Sequence, residues 1–106
     1  MDEKQVLEIQ KQVVDVLKYV YDPEIPVNIY DLGLVYGIDV VEPGHVKIRM
    51  TLTAPSCPAG DFLMEDIRIK VEGLAEVNTC EIELVFEPEW NQDMMSEEAK
   101  LELGFL

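Results

Sequence analysis

The chain has 106 residues, the size of one domain of ~100–200 residues, and at 48% hydrophobic and 28% charged it has the composition of a folded globular domain rather than a disordered one. No apolar run approaches the ~18–20 residues needed to cross a bilayer, and Met1-Asp2-Glu3-Lys4-Gln5 lacks the basic region and apolar stretch of a secretory signal. A net charge of −14 repels a phosphate backbone, so nucleic acid is a poor partner.

Val6, Ile9, Val13, Val16/Leu17 and Val20 recur at intervals of three and four, which predicts an amphipathic helix over roughly Glu3–Tyr21. The two prolines of Asp22-Pro23-Glu24-Ile25-Pro26 stop it. Val27–Leu34 reads as an ordered loop with Gly33 at a turn. Tyr36, Ile38 and Val40 alternate with Gly37, Asp39 and Val41, a strand over about Leu34–Val41. Glu42-Pro43-Gly44 is a turn signal, and Val46, Ile48, Met50 and Leu52 then alternate with Lys47, Arg49, Thr51 and Thr53. The two strands make a hairpin with one apolar face.

A loop, Ala54-Pro55-Ser56-Cys57-Pro58-Ala59-Gly60, leads into a helix over about Pro58–Glu72 whose core stripe is Leu63, Ile67 and Val71. Gly73 is placed to cap it. Cys80, Ile82, Leu84 and Phe86 alternate with Thr79, Glu81, Glu83 and Val85, a third strand that Pro88 ends. From about residue 88 the segment is acidic, and Ser96-Glu97-Glu98 opens a short helix to Leu103. The order α-β-β-α-β-α, with one apolar face per strand, predicts a single two-layer α+β domain over residues 1–106. Its small mixed sheet of three strands carries the helices on one face. Lys47 and Arg49 with Asp39, Glu81 and Glu83 fall on the other, where cross-strand ion pairs explain them.

The chemistry-bearing residues are few. Two cysteines without a CxxC motif cannot close a four-ligand zinc site, and they fit a reducing cytoplasm. Cys57, before Pro58 at the start of a helix, is placed where unpaired amides and the helix dipole favour a thiolate. The alternative is an inert thiol packed under its loop. Cys80 shares parity with Ile82 and Leu84 and reads as a core residue. Asp22 and Glu24 flank a proline, suited to a metal or to acid–base work and equally to capping a turn; Asp31 reads as a turn former. His45 has no local partner for a triad. Trp90 either anchors the acidic C-terminal segment to the domain or meets a partner.

Three blocks carry a resemblance. Asp22-Pro23-Glu24-Ile25-Pro26-Val27-Asn28-Ile29-Tyr30-Asp31-Leu32-Gly33-Leu34-Val35-Tyr36, Thr51-Leu52-Thr53-Ala54-Pro55-Ser56-Cys57-Pro58, and Phe86-Glu87-Pro88-Glu89-Trp90 followed by Met95-Ser96-Glu97-Glu98-Ala99 are similar to the motifs of the MIP-eighteen family (domain of unknown function fifty-nine), SufT and PaaD-like members included. The resemblance implies a fold like the iron–sulfur cluster assembly domain and a non-enzymatic accessory role in assembling or delivering iron–sulfur clusters. Cys57 matches the family's reactive cysteine, the contact for a transient cluster or iron; Asp22 and Glu24 match its acidic loop. The partners implied are the assembly machinery and client apoproteins. Clusters typically want four ligands, so one chain holds none tightly: either a homodimer pairs two copies of Cys57 or a partner supplies the rest. A cysteine-rich tail seen in longer PaaD relatives is missing, which favours the SufT-like role over a part in an aromatic ring-hydroxylating (phenylacetyl-CoA) oxygenase system. A thiol or redox enzyme at Cys57, and a scaffold working through Trp90 and the acidic tail, are the remaining alternatives.

Overall fold

Ile9, Val13 and Leu17 recur every fourth residue, and they form the buried face of helix α1 (Glu3–Leu17) in a computed structural model of the protein, which describes residues 2–22, 25–41, 43–53 and 60–104. A capping box starts the helix: the Asp2 carboxylate accepts from the Gln5 amide at 2.9 Å, and the Gln5 side chain accepts from the Asp2 amide at 3.0 Å. The helix ends four residues before the expected Tyr21. Tyr19 and Val20 bond back only three residues, to Val16 and Leu17, a tightened last turn. The chain then straightens so that the Val20 carbonyl accepts from Ile29 at 2.8 Å and Tyr21 pairs with Asn28. Tertiary pairing, not helix propensity, sets this boundary.

Strands β1 (Val35–Val41), β2 (His45–Met50) and β3 (Thr79–Leu84) form one sheet in the order β1-β2-β3, the first pair antiparallel and the second parallel. Helix α2 (Gly60–Glu72) makes the crossover between β2 and β3. Strand register aligns three rows on one face: Val40, Val46 and Cys80; Ile38, Ile48 and Ile82; Val35, Met50 and Leu84. The central strand contributes Val46, Ile48 and Met50, all fully buried, each worth ~1.5–3 kcal/mol of burial. Helix α1 packs on β1, α2 on β3, and the helices touch each other, joining Ile9, Val13 and Leu17 to Leu63, Ile67 and Val71 in one core. The two-layer α+β fold is therefore as the hydrophobic pattern requires.

The opposite face carries the expected ion pairs, Lys47 to Glu83 at 3.1 Å and Arg49 to Asp39 at 3.9 Å, with His45 Nε2 3.6 Å from Glu81. One departure lies in β1. Val35 pairs with Met50 and Gly37 with Arg49, so Tyr36 is the extra residue of a bulge and leaves the apolar row that simple alternation assigned to it.

Strands β2 and β3 are each shorter than the alternation suggested. Thr51 turns its amide to Leu34 O at 2.8 Å, and the Val85 amide bonds Met50 O at 2.8 Å. The C-terminal segment, with a 3-10 turn (Gln92–Met94) and helix α3 (Glu97–Leu103), folds back over the 27–36 region. The Trp90 indole N–H donates to Leu32 O at 2.7 Å, the Tyr36 hydroxyl to Pro88 O at 2.7 Å, and the Ser96 amide to Asp31 O at 2.8 Å. Gly33, at φ +80°, makes this docking possible: a Cβ there would stand 2.2 Å from Met94 O. Ser96 caps α3 by accepting from Ala99 N at 3.1 Å, and Met95 and Ala99 are buried.

Candidate functional site at the carboxyl end of the central strand

Cys57 and Glu24 lie outside the described residues. The ground on which the Cys57 stretch is anchored is described on both sides: Thr51-Leu52-Thr53 at the end of β2, and α2 from Gly60 onward. This is the carboxyl end of a parallel strand pair, the end at which open sheets with crossover connections place their ligands.

Thr51, Leu52 and Thr53 share a cavity of about 80 Å³ with Phe86, Glu89 and Trp90. That volume admits a few waters at ~30 Å³ each and falls short of the ~300 Å³ of a small-molecule pocket. The C-terminal segment thus walls the root of the cysteine stretch, a relation that no local pattern in the sequence announces. Thr51 is 1% exposed, yet its hydroxyl makes no hydrogen bond of good geometry. It still interacts with the Tyr36 phenol: burial raises the tyrosine pKa, and Thr51 opposes the shift in part. Buried hydroxyls are normally satisfied, since leaving one unpaired costs ~1–3 kcal/mol. Alternation placed Thr51 on the polar face of a continuing strand; its burial arises because the strand ends at Met50.

Asp22 is 94% withdrawn from solvent, its relative exposure being 6%. It organises its own loop: Oδ1 accepts from the Ile25 amide at 3.1 Å, and its amide donates to Val27 O at 3.4 Å. Asp31 is a turn former. Its carboxylate accepts from Asn28 Nδ2 at 2.8 Å while Asn28 Oδ1 accepts the Asp31 amide at 2.9 Å. His45 Nδ1 sits 2.6 Å from Thr79 Oγ1 on the open sheet face, away from the cavity. Trp90 is half-buried against the core with its N–H committed to Leu32.

Cys80 is a core residue. Its side chain is buried, its amide donates to Glu72 Oε2 at 3.0 Å, and burial followed by the Glu72 charge pushes its thiol up to about 11, with Arg68 opposing. At neutral pH that thiol stays protonated and makes a poor ligand. Among the described residues, no group of three His, Cys, Asp or Glu side chains is arranged to hold a metal ion, and no helix is long and apolar enough to cross a membrane.

Comparison with known proteins agrees with this geometry. Residues 10–84 match the model of the iron–sulfur cluster assembly protein family. An "Fe-S protein maturation auxiliary factor" of Porphyromonas gingivalis is 61% identical over 100 residues, covering 94% of this chain and 95% of its own. The "Fe-S protein maturation auxiliary factor SufT" of Staphylococcus aureus is 38% identical over 85 residues, covering 80% and 97%. A crystal structure of a domain of unknown function, DUF59, from Bacillus anthracis superposes with a TM-score of 0.90 at 33% identity, covering 99% of this chain and all of that one. By sequence, strand order and shape, the chain belongs to the iron–sulfur cluster assembly protein family.

Proposed function

We propose that this protein is a non-enzymatic auxiliary factor in iron–sulfur protein maturation, acting in the cytoplasm on client apoproteins and the assembly machinery through Cys57. The maturation-factor names of relatives that match over nearly their whole length support the process. The observation that carries the mechanism is the state of the other cysteine. With the Cys80 thiol buried and pushed up to about 11, one chain has a single thiol to offer.

A cluster wants about four ligands, so the remaining ones come from a client, an assembly protein or a second copy of this chain. The contact is then transient by construction, since a one-thiolate site releases its cargo when a better ligand set arrives. Asp22, holding the Ile25 amide, shapes the acidic loop, to which Glu24 adds a second carboxylate in the sequence. Thr51 supplies a buried hydroxyl at the root of the cysteine stretch.

The test is anaerobic reconstitution with iron and sulfide, followed by visible absorption and native mass, for the parent and Cys57→Ala. Maturation of a cluster-dependent enzyme is measured in cells carrying Cys57→Ser. Loss of iron–sulfur absorption and of client activity is expected. Full maturation by Cys57→Ser would overturn the thiol role, and turnover of a small electrophile at Cys57 would replace the accessory reading with an enzymatic one.

A further inference from the structure

The sheet has two edges, and they are not alike. Strand β1 is interrupted by its bulge at Tyr36, and the outward Ile38 carbonyl accepts from Gln10 Nε2 of α1 at 3.1 Å. Strand β3 keeps an unbroken register with β2 from Thr79 to Leu84. The Val85 amide donates to Met50 O across that pairing. By the alternation of a strand, the odd-numbered residues of β3 therefore turn their backbone groups to β2, while Cys80, Ile82 and Leu84 turn theirs outward. Glu72 Oε2 takes the Cys80 amide at 3.0 Å. Beyond it, the backbone groups of Ile82 and Leu84 find no partner among the described residues. An open, regular edge of this kind is a template for a further strand.

Register fixes what that strand would meet. On the open face one row runs Asp39, Lys47, Glu81 and the next Gly37, Arg49, Glu83, so each row ends on an acid at the β3 edge. His45 and Lys47 approach these acids from the β2 side, yet the Glu81 and Glu83 side chains remain 59% and 45% exposed. Arg68 of α2, which reaches the same Glu72 that caps Cys80, is held between Glu65 and Glu72. The column beyond β3 thus calls for positive charge on the open face, where opposite charges directly across strands attract. On the other face Ile82 and Leu84 are only partly buried where they pack against the core, and they call for apolar neighbours.

We propose that the β3 edge takes up, as a fourth strand, an extended segment of a partner in the delivery process in which basic and apolar residues alternate. The inference rests on the maturation role stated above. Backbone hydrogen bonds to Ile82 and Leu84 supply the affinity; lysine or arginine opposite Glu81 and Glu83, with apolar side chains beside Ile82 and Leu84, supplies the choice of partner. A second copy of β3 is the poorer occupant, because a two-fold axis at this edge sets Glu81 and Glu83 against the same acids of the copy.

The experiment titrates the isotope-labelled full chain with a synthetic peptide of alternating lysine and valine, and with its counterpart carrying glutamate for lysine, followed by nuclear magnetic resonance. Shift changes and slowed hydrogen exchange at the Ile82 and Leu84 amides are expected, with the outward Val40 amide of β1 unchanged. The lysine peptide should bind about tenfold more tightly than the glutamate peptide, and Glu81→Lys with Glu83→Lys should reverse that order with unchanged circular dichroism. Only one set of peptide amides faces β3, so N-methylating the valines or the lysines should abolish binding in one of the two cases. In cells, the same double charge reversal should lower maturation of the cluster-dependent enzyme. Cys57→Ser should leave peptide binding intact, so docking and thiol chemistry fail separately. No protection at Ile82 and Leu84, equal binding of the two peptides, binding that survives both methylations, or unchanged maturation by the charge-reversed chain would overturn the proposal.

Discussion

Gly33→Ala tests the tertiary device that walls the site. Two costs arise at one position. A non-glycine residue at φ +80° costs ~1–2 kcal/mol, and the new Cβ would stand 2.2 Å from Met94 O and 3.0 Å from Met94 Cβ, an overpacking of ~1–3 kcal/mol. The obstacle is backbone, so no side-chain rotation relieves it. If the C-terminal segment lifts instead, the molecule loses the Trp90–Leu32 hydrogen bond, ~1 kcal/mol, and part of the burial of Met95 and Ala99. By either route the loss is about 3 kcal/mol, or ~12–24 °C in Tm at ~4–8 °C per kcal/mol. Trp90 is the single tryptophan, so thermal melts followed by its fluorescence and by circular dichroism report the segment and the fold separately. A Tm within about 2 °C of the parent with unchanged Trp90 emission would refute the reasoning.

Gly37→Ala is the contrast. The three atoms nearest a Cβ there all belong to the Arg49 guanidinium, the far end of a flexible side chain, so a loss below about 1 kcal/mol is expected in the same melt. Ile48→Ala, at a fully buried position on the central strand, should cost ~2–5 kcal/mol in urea unfolding. Cys80 gives a pH dependence. Its folded-state pKa is raised to about 11, so its stabilising contribution is intact below the unfolded thiol value of ~8.5 and is lost as pH rises through about 11. The sum approaches ~3 kcal/mol. Relative to the parent, Cys80→Val should flatten that alkaline decline, measured by urea midpoints from pH 8 to pH 11. Thiol titration of the native protein should find Cys80 protected and reactive only after unfolding.

Several features of the fold are legible in local sequence because their causes are local. Period-four spacing in α1, alternation in β2 and the parity of Cys80 with Ile82 each report which side of an element faces the core, and the element order leaves a two-layer packing as the economical solution. The same alternation correctly assigns Lys47, Arg49, Glu81 and Glu83 to the open face. The motif resemblance points to Cys57 as the reactive sulfur, and the chain's own spacing places it before α2.

What only the tertiary structure decided depends on groups far apart in the chain. Helix α1 stops at Leu17 because Val20 is claimed by Ile29. Tyr36 leaves its row because a bulge lets it reach Pro88. Thr51 is buried because β2 ends one residue earlier and its amide turns to Leu34. Trp90 walls the cavity because Gly33 lacks a side chain where Met94 passes. Periodicity records a residue's preference for water or core, whereas each of these outcomes is a choice among partners, made only when distant backbone groups meet.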